Sequence, residues 1–273
     1  MVYELYEDPE AARLRAAVKD LRKRLYEAVT ERDELRLVVC RNLETAYLLA
    51  FGAAEYRLHE LYCRSLRLKR ACELIRAKLN RRERPDVSAV EAQLDAEFAA
   101  YTQKLESQVH AMNAALERNK GKVLSEKESK ALKTMYHRIV KALHPDLHPE
   151  LSPEKQKLFL QATEAYKRAD TSVLGVIDGM IGDDGESTAE EDGPDSAEVS
   201  VALKAKVAQL ESSLETIAQE IASIKASYPY CEREKLFDEE KKAAYQAELK
   251  ARLQEAEASV RAYEQALKEM MNE

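Results

Sequence analysis

Tryptophan is absent from these 273 residues, phenylalanine occurs four times, and glycine and proline seven times each. So few turn formers and bulky core aromatics argue against a sheet-rich globule and suit long helices. The four cysteines, Cys40, Cys63, Cys72 and Cys231, form no CxxC pair and no metal-ligand spacing. That excludes a zinc ribbon or disulfide framework and fits a reducing cytosol. Basic excess is lacking too: the formal net charge is −7, so nucleic acid and anionic membranes are poor electrostatic partners for the whole chain. The stretch Met1-Val2-Tyr3-Glu4-Leu5-Tyr6-Glu7-Asp8 is acidic where a secretory signal is basic and then apolar. The longest charge-free apolar run, Ala46 to Ala54, falls far short of the ~20 residues that a spanning helix needs. A cytoplasmic location with no membrane partner is expected.

Apolar residues make up 45% of the chain and charged residues 34%, a balance that favours extended helices over one thick core. The expected fold is all-α. From about Glu10 to Arg84 the apolar residues recur every three or four positions, as in Leu14, Val18, Leu21 and Leu25, the pattern of a helical seam. Pro85 should end that run. A helix from about Ser88 to Asn119 could then fold back on it, with Gly121 as its punctuation. Ser125 to Glu128 has capping-box spacing and opens a compact segment reaching about Ile181. The acidic stretch at 182–198 reads as a flexible linker. Beyond it, Leu203, Val207, Leu210, Leu214, Ile217, Ile221 and Ile224 step by fours and threes without a miss, and Leu249 to Met270 repeats the rhythm. Residues 1–122, 123–181 and 199–273 are thus expected as three units, the last a coiled-coil hairpin or an arm that pairs two chains into a homodimer.

The segment from Ser125 to Asp170 carries the chemistry. At 100° per residue, Leu132, Tyr136, Ile139 and Leu143 form one stripe, and Lys130, Lys133, His137 and Lys141 a basic stripe on roughly the opposite side. Pro145 stops the helix at His144-Pro145-Asp146. Ser152 can cap the next helix with Pro153 at its first position, and Leu158, Phe159, Ala162, Ala165, Tyr166 and Ala169 face back toward the first.

The run Tyr136-His137-Arg138-Ile139-Val140-Lys141-Ala142-Leu143-His144-Pro145-Asp146 resembles helix II and the HPD loop of a J-domain, and Phe159 through Glu164-Ala165-Tyr166 is similar to its helix III. The likeness spans about Ser125 to Asp170, set between helical arms. It implies a co-chaperone that docks on a DnaK-type heat-shock chaperone and stimulates its ATP hydrolysis. By position, Lys133, Tyr136, His137, Arg138 and Lys141 would belong to the docking helix, and His144, Pro145 and Asp146 to the triggering loop. The sequence departs from the family in having no Tyr-Tyr-x-x-Leu-Gly helix before Ser125, in Leu147 where a basic residue is common, and in a longer interhelical loop. No Gly/Phe-rich or cysteine-rich region follows, so the client proteins are not encoded in a readable way.

Other readings are blander. His137, His144 and His148 could suggest a metal, but Pro145 and Pro149 break the helix that would align them. No cofactor fingerprint or nucleophile constellation is present, so catalysis by the chain itself is not expected. The basic stretch from Arg64 to Arg84 lacks interleaved aromatics and reads as a solvated helix face. The competing reading of the whole is a structural coiled-coil scaffold with an inactive J-like segment.

Overall fold

The computed structural model describes residues 9–120, 125–181 and 197–272. Every regular element among them is helical, so the chain is all-α. In chain order the α-helices are α1 (Pro9–Glu34), α2 (Cys40–Tyr47), α3 (Ala53–Asn80), α4 (Val87–Lys120), α5 (Glu126–Leu143), α6 (Pro153–Lys167), α7 (Thr171–Ile181), α8 (Ala197–Ala226), α9 (Arg233–Phe237) and α10 (Glu239–Asn272). Two π-helical turns, Leu35–Val39 and Leu48–Gly52, interrupt the first helical run. Gly121 and residues 182–196 of the expected linker lie outside the described residues.

The chain forms two compact units, Met1–Arg41 with Lys122–Tyr230, and Asn42–Gly121 with Cys231–Glu273. This differs from the division expected from the sequence, because α8 and α10 fall in different units. Each lies on a helix from the first third of the chain, α8 on α1 and α10 on α3. A long apolar seam must be covered by something, and matching periodicity could not say by which helix.

In the first unit, α1 and α8 run parallel. Glu10 pairs with Lys204 near their starts and Glu31 with Lys225 near their ends, both at 2.6 Å. Val18, Leu21, Leu25 and Val29 of α1 and Leu203, Leu210 and Ile217 of α8 are buried in one cluster, each worth about 2 kcal/mol relative to exposure. The same cluster takes in α5, α6 and α7. The Ser125 capping box forms as expected, and the Ser152 side chain caps α6 with Pro153 in its first turn. One helix was not foreseen: Ala169 adopts a left-handed backbone (φ 56°), and the Asp170 carboxylate then accepts the Ser172 and Val173 N–H groups to start α7. Leu174 and Ile177 of α7 close the hairpin of α5 and α6 into a three-helix core.

In the second unit, α3 carries two flanking helices. The turn after Asn80 uses a left-handed Arg82 (φ 60°), and Asp86 accepts the Ala89 N–H at the start of α4. The chain therefore reverses five residues before Pro85 and places α4 antiparallel to α3, as expected. Arg67 pairs with Glu91 and Asp95, and Arg70 with Glu97. The α10 helix runs parallel to α3, with Tyr245 beside Tyr47 and Glu55, Glu264 against Arg64, and Leu267 and Met270 against the cluster around Ile75. The most apolar part of the helical run Pro9–Asn80 is long and apolar enough to cross a membrane, but it supplies Tyr47 and Phe51 to a core shared with Leu249.

Candidate functional site

The site grows from the end of α5. Val140 O accepts the His144 N–H, and His144 itself is extended (φ −73°, ψ 129°), the conformation that a following proline favours. The Leu147 and His148 N–H groups then turn back onto His144 O at 3.0 and 2.9 Å. Inside that turn the Asp146 N–H donates to His144 Nδ1 at 3.0 Å. A nitrogen that accepts is unprotonated, so the neutral ring carries its hydrogen on Nε2. Nε2 lies 3.2 Å from Asp33 Oδ2, and the ring edge rests on Phe159, centroids 4.8 Å apart. His144 is only 4% exposed.

What buries it is α1. Arg32 donates through Nε and Nη2 to Asp33 Oδ1 (3.1 and 2.9 Å) and through Nη1 to Asp146 Oδ2 (2.6 Å) and Glu220 Oε2 (3.3 Å). Its Nη2 also lies 3.0 Å from His144 Nε2. With Nε2 protonated, that approach is donor against donor, and Asp33 between them absorbs both hydrogens. Burial pushes the Asp33 carboxyl up, but the hydrogen bond from His144 and the Arg32 guanidinium outweigh it and hold the group below its ordinary range.

The docking residues expected from the sequence fall into three groups. Tyr136 is core, 2% exposed, stacked nearly parallel on Tyr166 with centroids 4.0 Å apart, with its hydroxyl donating to Asp33 Oδ2 at 3.4 Å. A place on the docking surface is therefore corrected for Tyr136: its side chain points with the apolar stripe, and the family position it matches is internal here. Burial raises its phenol well above the ordinary tyrosine range and pushes Tyr166 up to about 12. Lys133 and His137 are half-buried and covered by α1, with Lys133 on Glu34 at 2.6 Å and the His137 carbonyl accepting the Tyr26 hydroxyl at 3.3 Å. Burial, then the Lys133 charge, lowers the His137 pKa. Arg138 and Lys141 are exposed, Arg138 paired with Asp178 of α7. Pro145 is exposed, and so is the Asp146 side chain (41%).

Sequence reasoning missed Arg32, Asp33 and Glu34. A signal was present: after Leu25 and Val29 the seam of α1 calls for an apolar residue at 32, and an arginine stands there. The basic face of Arg64 to Arg84 carries solvent-exposed ion pairs, Arg64, Arg67, Arg70 and Lys78 each meeting a carboxylate. Among the described residues no group of three or more His, Cys, Asp or Glu side chains is arranged to hold a metal ion. Comparison with protein-family models, with curated proteins and with solved structures finds no match to this chain.

Proposed function

We propose that the chain is a co-chaperone that docks on a DnaK-type chaperone through the α5 and α6 hairpin and stimulates its ATP hydrolysis through His144-Pro145-Asp146. The observation that carries this reading is the turn itself: Pro145 and the Asp146 carboxylate stand exposed at the end of a basic helix whose Arg138 and Lys141 face outward. A cationic helix gives fast, salt-sensitive encounter, and an exposed carboxylate can make one charge-assisted hydrogen bond to a partner cation. The partner breaks the bond in ATP; this chain supplies the docking surface and the loop. A cytoplasmic site of action belongs to the same proposal.

The scaffold reading is favoured by a different observation, the commitment of His144 to Asp33 and of Asp146 to Arg32 within the chain. On that reading HPD is a structural joint between α1 and α5. Steady-state ATP turnover by a DnaK-type chaperone, with and without the full chain, separates the two. Stimulation that disappears in Asp146→Asn supports the co-chaperone; equal turnover with wild type, Asp146→Asn and no addition across several such chaperones leaves the scaffold.

A further inference from the structure

Three consecutive residues of α1 meet the hairpin face that a partner would need. Asp33 takes His144, Arg32 takes Asp146, and Glu34 takes Lys133. An acidic pair on a basic face, with a guanidinium on the loop carboxylate, is the charge pattern of an occupant. The geometry points to α1 as a built-in occupant of the HPD site, which admits a partner only when Arg32-Asp33-Glu34 is displaced. This rests on the co-chaperone reading above and adds its regulation.

Two features of α1 fit an occupant better than a plain structural strut. First, Arg32 stands on the seam of the parallel pair, where an apolar residue is the ordinary occupant, and its buried guanidinium is held by carboxylates from three places, Asp33 of α1, Asp146 of the turn and Glu220 of α8. Second, a π-helical turn begins directly after Glu34, at Leu35. Such turns are uncommon insertions that re-aim side chains and concentrate at functional sites. The α8 helix adds a latch: Glu220 accepts from Arg32 and pairs with Arg36 at 3.2 Å. Each bond of Arg32 and Glu34 is an ion pair that a partner's own charges can replace, so the closed arrangement is exchangeable.

The test uses the full chain and two readouts. Diethyl pyrocarbonate labels accessible unprotonated imidazoles, and the half-exposed His148 in the same tryptic peptide serves as internal reference. In Arg32→Met/Asp33→Asn, with helix content unchanged by circular dichroism, the labelling of His144 relative to His148 should rise severalfold. The concentration needed for half-maximal stimulation of a DnaK-type ATPase should fall about tenfold, as expected when a site open about one part in ten becomes fully open. Unchanged His144 labelling overturns the occlusion whatever the ATPase does. Exposed His144 with stimulation equal to wild type overturns the inhibition and leaves the co-chaperone reading standing. Exposed His144 with no stimulation by either protein overturns the co-chaperone reading, and the inhibition with it. If the double variant loses helix content, Glu220→Gln, which cuts only the latch, is read the same way with smaller shifts.

Discussion

Arg32 and Asp146 lie 114 positions apart in the chain and 2.6 Å apart in space, Nη1 to Oδ2. The guanidinium is buried and the carboxylate half in solvent, so their bond ties the interior of α1 to the outward-facing side of the HPD turn. Removing Arg32 alone leaves Asp33 buried without its cation. Arg32→Met should therefore cost about 3 kcal/mol in chemical denaturation, in line with breaking a buried pair from one side. Arg32→Met/Asp33→Asn should cost less than the sum of the single changes. Additive losses would mean that the two side chains act separately.

His144→Gln is not a neutral loop change. The ring is buried, accepts from Asp146 N–H, reaches Asp33 and packs on Phe159. The position beyond the helix end suggests an exposed residue from sequence alone; the fold encloses it. A loss of about 1 to 3 kcal/mol is expected, the range for leaving a buried polar group without its partner. Urea midpoints measure it, and a change within error would contradict the network described above.

Acid should loosen the joint between α1 and α5. Asp33 titrates lower in the fold than its ordinary value, about 3.9. The native state thus binds fewer protons than the unfolded chain, and the stabilisation is complete above that value and lost as pH falls through the depressed one. His137 is lowered too, so its contribution is complete above about 6.5 and declines on further acidification. Stability measured from pH 7.5 to 3 should fall in two windows, and Asp33→Asn should flatten the lower one.

Tyr136 tests what the core of the hairpin demands. Tyr136→Ala removes a buried ring from a parallel stack with Tyr166 and should cost about 3 to 5 kcal/mol, the range for large-to-small aromatic changes. Tyr136→Phe keeps the stack and loses the hydroxyl's contacts with Asp33 and Thr163, worth about 1 kcal/mol each. Thermal unfolding of both variants checks the order; equal effects would shift the importance from ring to hydroxyl.

The seams of α8 and α10 are covered within the chain by α1 and α3, so the need for a second copy that the bare heptads implied is removed. Sedimentation equilibrium at tens of micromolar, a concentration that reveals modest affinities, should return a mass near 31.0 kDa. Twice that mass would revive pairing between chains.

The helices, their caps and the reversal before Pro85 were legible because each follows from neighbours a few positions away. Ser125 with Glu128 and Ser152 with Pro153 are local devices that sequence spacing displays directly. The partner of each seam was not legible: Leu203 to Ile224 would fit any helix of the same rhythm, and only three-dimensional packing selects α1. The burial of His144 was hidden for the same reason, since Arg32 and Asp33 look like ordinary surface charges until the seam is known to pass through them. The α7 helix was missed because Ala169 takes a backbone conformation usually left to glycine.

Parallel pairing of α1 with α8 also sets an order of events during synthesis. α8 emerges about 190 residues after α1, roughly 10 to 40 seconds later at 5 to 20 residues per second. Within that interval α5, α6 and α7 are made in turn, all of them before α8 begins, and can cap and close on local signals. The nascent chain therefore displays its HPD turn before the helix pair that later covers it can be completed.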